Sequence, residues 1–160
     1  SLDLQSLIVM KKTNSILINK IYKVNITLSL FSKVNMFKNF NINPIHKRAD
    51  DCTVRAISKA LGERWEDVYT DLCLEGLRYY DMPSSNYVWG SYLKKKGFTR
   101  HIIPDSCPQC YTVADFADDH PIGTYILALS GHVVACIDGC VYDTFDSTDR
   151  VPVYYWEKGE

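Results

Sequence analysis

No apolar run in the sequence approaches the roughly 18 uninterrupted residues that a membrane-spanning helix needs. In the stretch KKTNSILINKIYKVNITLSLF, asparagine or lysine breaks every apolar run before even the short core of a secretory signal can form. Neither charge is in excess: 18 Lys and Arg stand against 19 Asp and Glu, for a formal net charge of -1. No global basic field is therefore present to draw in nucleic acid. Glycine-rich phosphate loops and internal repeats are also missing. Residues 1–35 contain no glycine, proline, tryptophan or cysteine, whereas the rest of the chain is punctuated normally. That bias is what an AT-rich, untranslated leader gives when read in frame. The expectation is a leader over 1–35, possession of the functional protein by residues 36–160, and a start at Met36; the competing expectation is a genuine amphipathic or strand-forming extension.

What is present is ordinary globular material. Hydrophobic residues make up 46% and charged residues 23% of 160 positions, enough for one domain with a sizeable core. Six cysteines, Cys52, Cys73, Cys107, Cys110, Cys136 and Cys140, without a signal segment, read as free thiols in a reducing cytoplasm. Helix signals come first. Asp50 or Asp51 caps CTVRAISKAL, with Val54, Ile57 and Leu61 on one face and Gly62 as the stop. A second helix is predicted over 65–79, with Trp65, Val68, Tyr69 and Leu72 on its stripe, and a third over 85–96, stopped by Gly97. FTRHIIP then reads as a strand, TVADFADDH as a short helix capped by Thr112, and TYILALS, HVVACID, CVYDTF and VPVYYWE as strands. The plan is α+β, with N-terminal helices packed on a C-terminal antiparallel sheet.

Three residues carry a chemical signal. Cys52 opens a helix, where unpaired N–H groups and the helix dipole favour the thiolate. Asp50 and Asp51 oppose that charge, so an imidazolium is needed, and His132 is the candidate. If Asp138-Gly139 makes a two-residue turn, residue 137 pairs with 140, 136 with 141 and 134 with 143. His132 and Asp143 then share a face as diagonal neighbours, about 5 to 8 Å apart at Cβ. Asp146 has the opposite parity and is held in reserve. A cysteine at a helix start, a histidine on a strand and an acid on the next strand is the arrangement for thiolate attack, with the imidazole as base and the carboxylate fixing its tautomer.

DDCTVRAIS followed by GHVVACIDGCVYDTFDS resembles the papain-like cysteine peptidase superfamily. It is most similar to small bacterial and phage-encoded members of that fold, including the peptidase domains of bacteriocin exporters. The resemblance covers about residues 37 to 157. It implies a papain-like fold, Cys52 as nucleophile, His132 as base and Asp143 as orienting acid. It also implies a peptide or protein substrate, no cofactor, and a cytoplasmic setting in a bacterium or phage-infected host. Members of that superfamily commonly place a glutamine upstream of the cysteine to complete the oxyanion hole; here His46 holds that position. Asn43, His46 and Asp51 are the nearby candidates for the second donor, the Cys52 backbone N–H being the first. The rival expectation is a catalytically silent binding module on the same fold, a phage or mobile-element accessory protein whose groove holds a host peptide. A cell-wall amidase or endopeptidase would use the same triad but calls for an export signal.

Other stretches read more plainly. SCPQC sets Cys107 and Cys110 at the spacing of a zinc half-site or redox pair, and a plain turn is preferred. MPSSNYVWGSYLKKKGF mixes aromatics and lysines as a base-stacking surface would. Tyr87, Val88 and Tyr92 nevertheless fit a buried helical stripe, with Lys94, Lys95 and Lys96 at the C-terminal end of the dipole. VPVYYWEK reads as an alternating edge strand whose aromatics could line a substrate groove.

Overall fold

Apolar residues spaced by three and four build the helices, and alternating β-branched and aromatic residues build the strands. The computed structural model describes residues 36–104 and 108–159. The expected leader, 1–35, and Cys107 lie outside the described residues. From Met36 onward the chain forms one unit. Among the described residues it is a mixed α+β structure of four helices and one six-stranded sheet. No helix among them is long and apolar enough to cross a membrane.

Helix α1 (Cys52–Leu61) buries Val54 and Ile57 and ends at Gly62, whose φ of 71° suits a residue without Cβ and lets its N–H reach Ser58 O at 2.9 Å. Helix α2 (Trp65–Tyr79) buries Val68 and Leu72, while Trp65 stacks on an exposed Tyr69. Helix α3 (Asn86–Lys95) buries Val88, Trp89, Tyr92 and Leu93. Tyr87 does not join them: it is 65% exposed, because position 87 falls outside the arc that 88, 89, 92 and 93 turn toward the sheet. Helix α4 (Val113–Asp119) starts with a capping box in which Thr112 and Asp115 satisfy each other's backbone N–H groups. Asp51 stands at the N-cap of α1 but makes no side-chain cap, since its carboxylate has stronger partners elsewhere.

The strands are β1 (Phe37–Asn39), β2 (Phe98–Ile102), β3 (Thr124–Leu129), β4 (His132–Ile137), β5 (Cys140–Asp143) and β6 (Pro152–Lys158), in the order β1-β5-β4-β3-β6-β2. Two expectations are corrected here. The sheet is not wholly antiparallel, because β1 pairs parallel with β5, joined by Val141 N–H to Met36 O and Phe40 N–H to Asp143 O. And β6 is not an edge strand: it lies between β3 and β2. Alternation along VPVYYWEK reports which side chains face inward, not which hydrogen-bonding edge is paired.

The sheet is covered on both faces. Ile126, Ala135 and Trp156 pack with Ile57, Leu72, Trp89 and Leu93 of α1 to α3, while Leu127, Val134, Cys136 and Val141 pack with Val113 and Phe116 of α4. Each fully buried aliphatic side chain in these layers contributes about 1.5 to 3 kcal/mol, which is what holds α1 against β4. The contact is close enough elsewhere to need glycine: a Cβ on Gly90 would stand 3.0 Å from the Trp156 ring. The β4–β5 turn follows the expected geometry. Asp138 and Gly139 both have positive φ (49° and 69°), and Ile137 pairs with Cys140, Cys136 with Val141 and Ala135 with Tyr142.

Candidate active site

The first residue of α1, the first residue of β4 and the last residue of β5 meet at one end of the sheet. His132 Nε2 lies 2.6 Å from Asp143 Oδ2. The imidazole also lies near enough to the Cys52 thiol for each to shift the other's protonation. With Nε2 committed to the acid, the other ring nitrogen, Nδ1, is the one left for sulfur. All three expected residues are thus brought together. Strand parity alone would have sent His132 and Asp143 to the α4 side, with Val134, Cys136 and Val141. They reach Cys52 because both sit where their strands end and α1 begins.

The electrostatics favour charge separation. Burial pushes the Cys52 thiol up, but the hydrogen bond from His132, the backbone N–H of Val133 and the imidazolium charge outweigh it, leaving the thiol below its ordinary value. Burial pulls the His132 imidazole down, yet the Asp143 hydrogen bond and the cysteine raise it to about 9. The two expected opponents of the thiolate, Asp50 and Asp51, are not among the causes of the shift. Asp51 is occupied: it is buried, ion-paired with Arg55, and accepts from Trp65 Nε1 at 2.9 Å and Asn43 Nδ2 at 3.2 Å.

Asp143 is held from several sides. It is buried, accepts the Ser147 hydroxyl at 2.9 Å and the Thr144 N–H at 2.7 Å, and lies 3.8 Å from the Arg55 guanidinium. Arg55 therefore links Asp51 and Asp143, a role the sequence hinted at only through its position four residues after Asp51. Ser147 was not singled out in the sequence; a hydroxyl four residues past the acid is too common a pattern to signal. Asp146 is exposed and turns back to the Thr148 N–H and hydroxyl, so it does not orient His132. The Phe145 ring packs 5.0 Å from the imidazole and shields it on one side.

A cleft of about 700 Å³ opens over the thiol, lined among others by Cys52, His132, Asn86, Trp89, Phe145 and Tyr154. Asn43, His46 and Asp51, the expected second oxyanion donors, do not line it. Asn43 is buried in its own loop, where its Oδ1 accepts the N–H groups of Ile45 and Lys47, and His46 is exposed with φ 51°. The side-chain amide that does line the cleft is Asn86. Its Oδ1 accepts from Trp89 Nε1 at 3.1 Å, which leaves its NH₂ group available to a ligand. No sequence signal marks Asn86, because it comes from a different helix and only packing brings it here. The start of β6 also contributes, through Val153 and Tyr154.

Cys110 is exposed, and among the described residues no group of three or more His, Cys, Asp or Glu side chains is placed to hold a metal ion. The chain matches no protein-family model, no curated protein and no solved structure.

Proposed function

We propose that the protein is a papain-like, cysteine-dependent hydrolase or acyltransferase that acts on an amide or related acyl bond in a peptide or protein. The observation that carries this reading is the meeting of Cys52 with a His132 that is hydrogen-bonded to a buried Asp143, open to a cleft.

The chemistry follows from the charges. The Cys52 thiolate adds to the substrate carbonyl carbon, and the carbonyl electron pair moves to oxygen. The oxyanion is stabilised by N–H groups at the start of α1, which no side chain caps, and by the Asn86 amide across the cleft. As the tetrahedral adduct collapses, His132 gives its Nδ1 proton to the leaving amine and the acyl group stays on sulfur. Water or another acyl acceptor then attacks the thioester, with neutral His132 taking its proton, and Cys52 leaves again as thiolate. Asp143 keeps its partner on Nε2 throughout, and Ser147, Thr144 and Arg55 keep Asp143 in place.

The test uses a pool of peptidyl aminomethylcoumarin amides, with fluorescence reporting turnover and mass spectrometry of acid-quenched protein reporting an acyl adduct on Cys52. The wild type should release fluorophore over many turnovers and carry the adduct; Cys52→Ser should do neither. Equal release by Cys52→Ser would show that the thiol is not the nucleophile. A folded wild type with an unreactive Cys52 would favour the catalytically silent binding module.

A further inference from the structure

Two cleft-lining residues, Asn86 and Tyr154, have a second surface. Each also lines a neighbouring groove of about 490 Å³ formed with Tyr79, Tyr87, Lys94 and Arg100. The catalytic cleft therefore continues past the Asn86–Tyr154 divide onto a surface of different character. Gly90 and the Trp156 ring packed closely against it also line this groove. Tyr79 and Tyr87 form one wall, edge to face at 4.8 Å, and Tyr79 is pinned by its hydroxyl to Ser91 at 3.0 Å.

The charge of this groove is positive and uncompensated. The neighbouring Lys95 and Lys96 are tied to Glu75 and Glu63. Among the described residues, Lys94 and Arg100 have no carboxylate partner. Arg100 instead lies with its guanidinium carbon 4.0 Å over the Tyr154 ring, a stacked pose that leaves its N–H edge available. The catalytic cleft has an acid of its own, Asp50, which does not line the groove. In the cleft the Arg55 guanidinium is already paired with Asp51, whereas beyond Tyr154 two cations stand without a carboxylate.

We infer that this groove is an extended substrate subsite that selects polypeptides carrying Asp or Glu on one side of the bond to be cleaved. The inference rests on the cysteine-hydrolase reading, since the groove is a subsite only if the adjoining cleft does chemistry. A flexible chain lying across Cys52 and over the Asn86–Tyr154 divide would place a carboxylate between Lys94 and Arg100 and its flanking apolar atoms on Tyr79 and Tyr87. The groove meets the cleft at Asn86 and Tyr154, so the preference has a direction. Bidentate pairing with Arg100 is stronger than a point contact.

The experiment is cleavage profiling of the wild-type protein on a proteome-derived peptide library, with Cys52 alkylation by iodoacetamide measured in parallel. Asp or Glu should be enriched severalfold at a fixed offset on one side of the cleaved bond. In a Lys94→Gln, Arg100→Gln variant that enrichment should disappear while Cys52 alkylates at the wild-type rate. Cleavage without acidic preference, or a preference unchanged in the variant, overturns the subsite and leaves the hydrolase reading standing. Tight binding of a fluorescent oligothymidine that the variant loses, with no acidic preference in cleavage, would overturn it in favour of a polynucleotide surface. No cleavage together with a Cys52 no more reactive than the other thiols would overturn both readings.

Discussion

The acid and its neighbours are where a single side chain decides most. Asp143 is buried and serves His132, Ser147 and the Thr144 N–H while facing Arg55. Asp143→Ala strips the acceptor from all of them and weakens the compensation of a buried guanidinium, so a loss of about 2 to 4 kcal/mol in urea unfolding is expected, along with a fall in turnover of roughly a hundredfold or more. Asp143→Asn keeps an oxygen for the imidazole and should retain part of the activity and most of the stability. Asp146→Ala removes only a local turn contact and should shift stability by less than about 0.5 kcal/mol, with turnover unchanged. A larger loss of turnover for Asp146 than for Asp143 would mean that the wrong carboxylate has been assigned to His132. Asp51 supports the same centre through Arg55, Trp65 and Asn43 rather than by capping α1.

The elements were readable in the sequence to the extent that local chemistry fixes them. Gly62 ends α1, Thr112 caps α4 and Asp138-Gly139 sets the register that brings His132 near Asp143, all from short-range signals. Gly62→Ala forces a Cβ into a left-handed conformation and should cost about 1 kcal/mol. Cys52 at the opposite end of the helix should keep its alkylation rate, which separates a stability effect from a site effect. What stayed hidden depends on contacts between elements distant in sequence. Periodicity did not reveal that β6 is interior, that β1 adds in parallel, or that Tyr87 faces solvent. The family resemblance pointed to Asn43, His46 and Asp51 for an oxyanion role because they precede Cys52, whereas packing brings Asn86 of α3 to the cleft.

At the scale of the whole molecule, the charge pair links folding to protonation. The folded His132 titrates near 9 against an ordinary 6.5, so across that window the native state holds a proton the unfolded chain lacks, and the stability this contributes is lost as pH rises through about 9. The depressed Cys52 thiol works in the opposite sense: its contribution is present at high pH and is lost as pH falls through its folded value. The two slopes oppose each other in the wild type. In Cys52→Ala the opposing slope is gone and His132 keeps only the part of its rise that Asp143 supplies, so urea unfolding should show a steeper loss of stability as pH rises above 6.5 than in the wild type, over a window that closes below 9. The same pair gives the most direct test of the central claim, that His132 holds Cys52 as a reactive thiolate: the pH dependence of Cys52 alkylation by iodoacetamide, mapped by peptide mass spectrometry in the wild type and in His132→Ala. The account predicts that wild-type Cys52 reacts fastest of the cysteines, already at pH values below the ordinary thiol range, and that His132→Ala moves its profile upward in pH to that of a buried thiol. Superimposable profiles in the two proteins would contradict it.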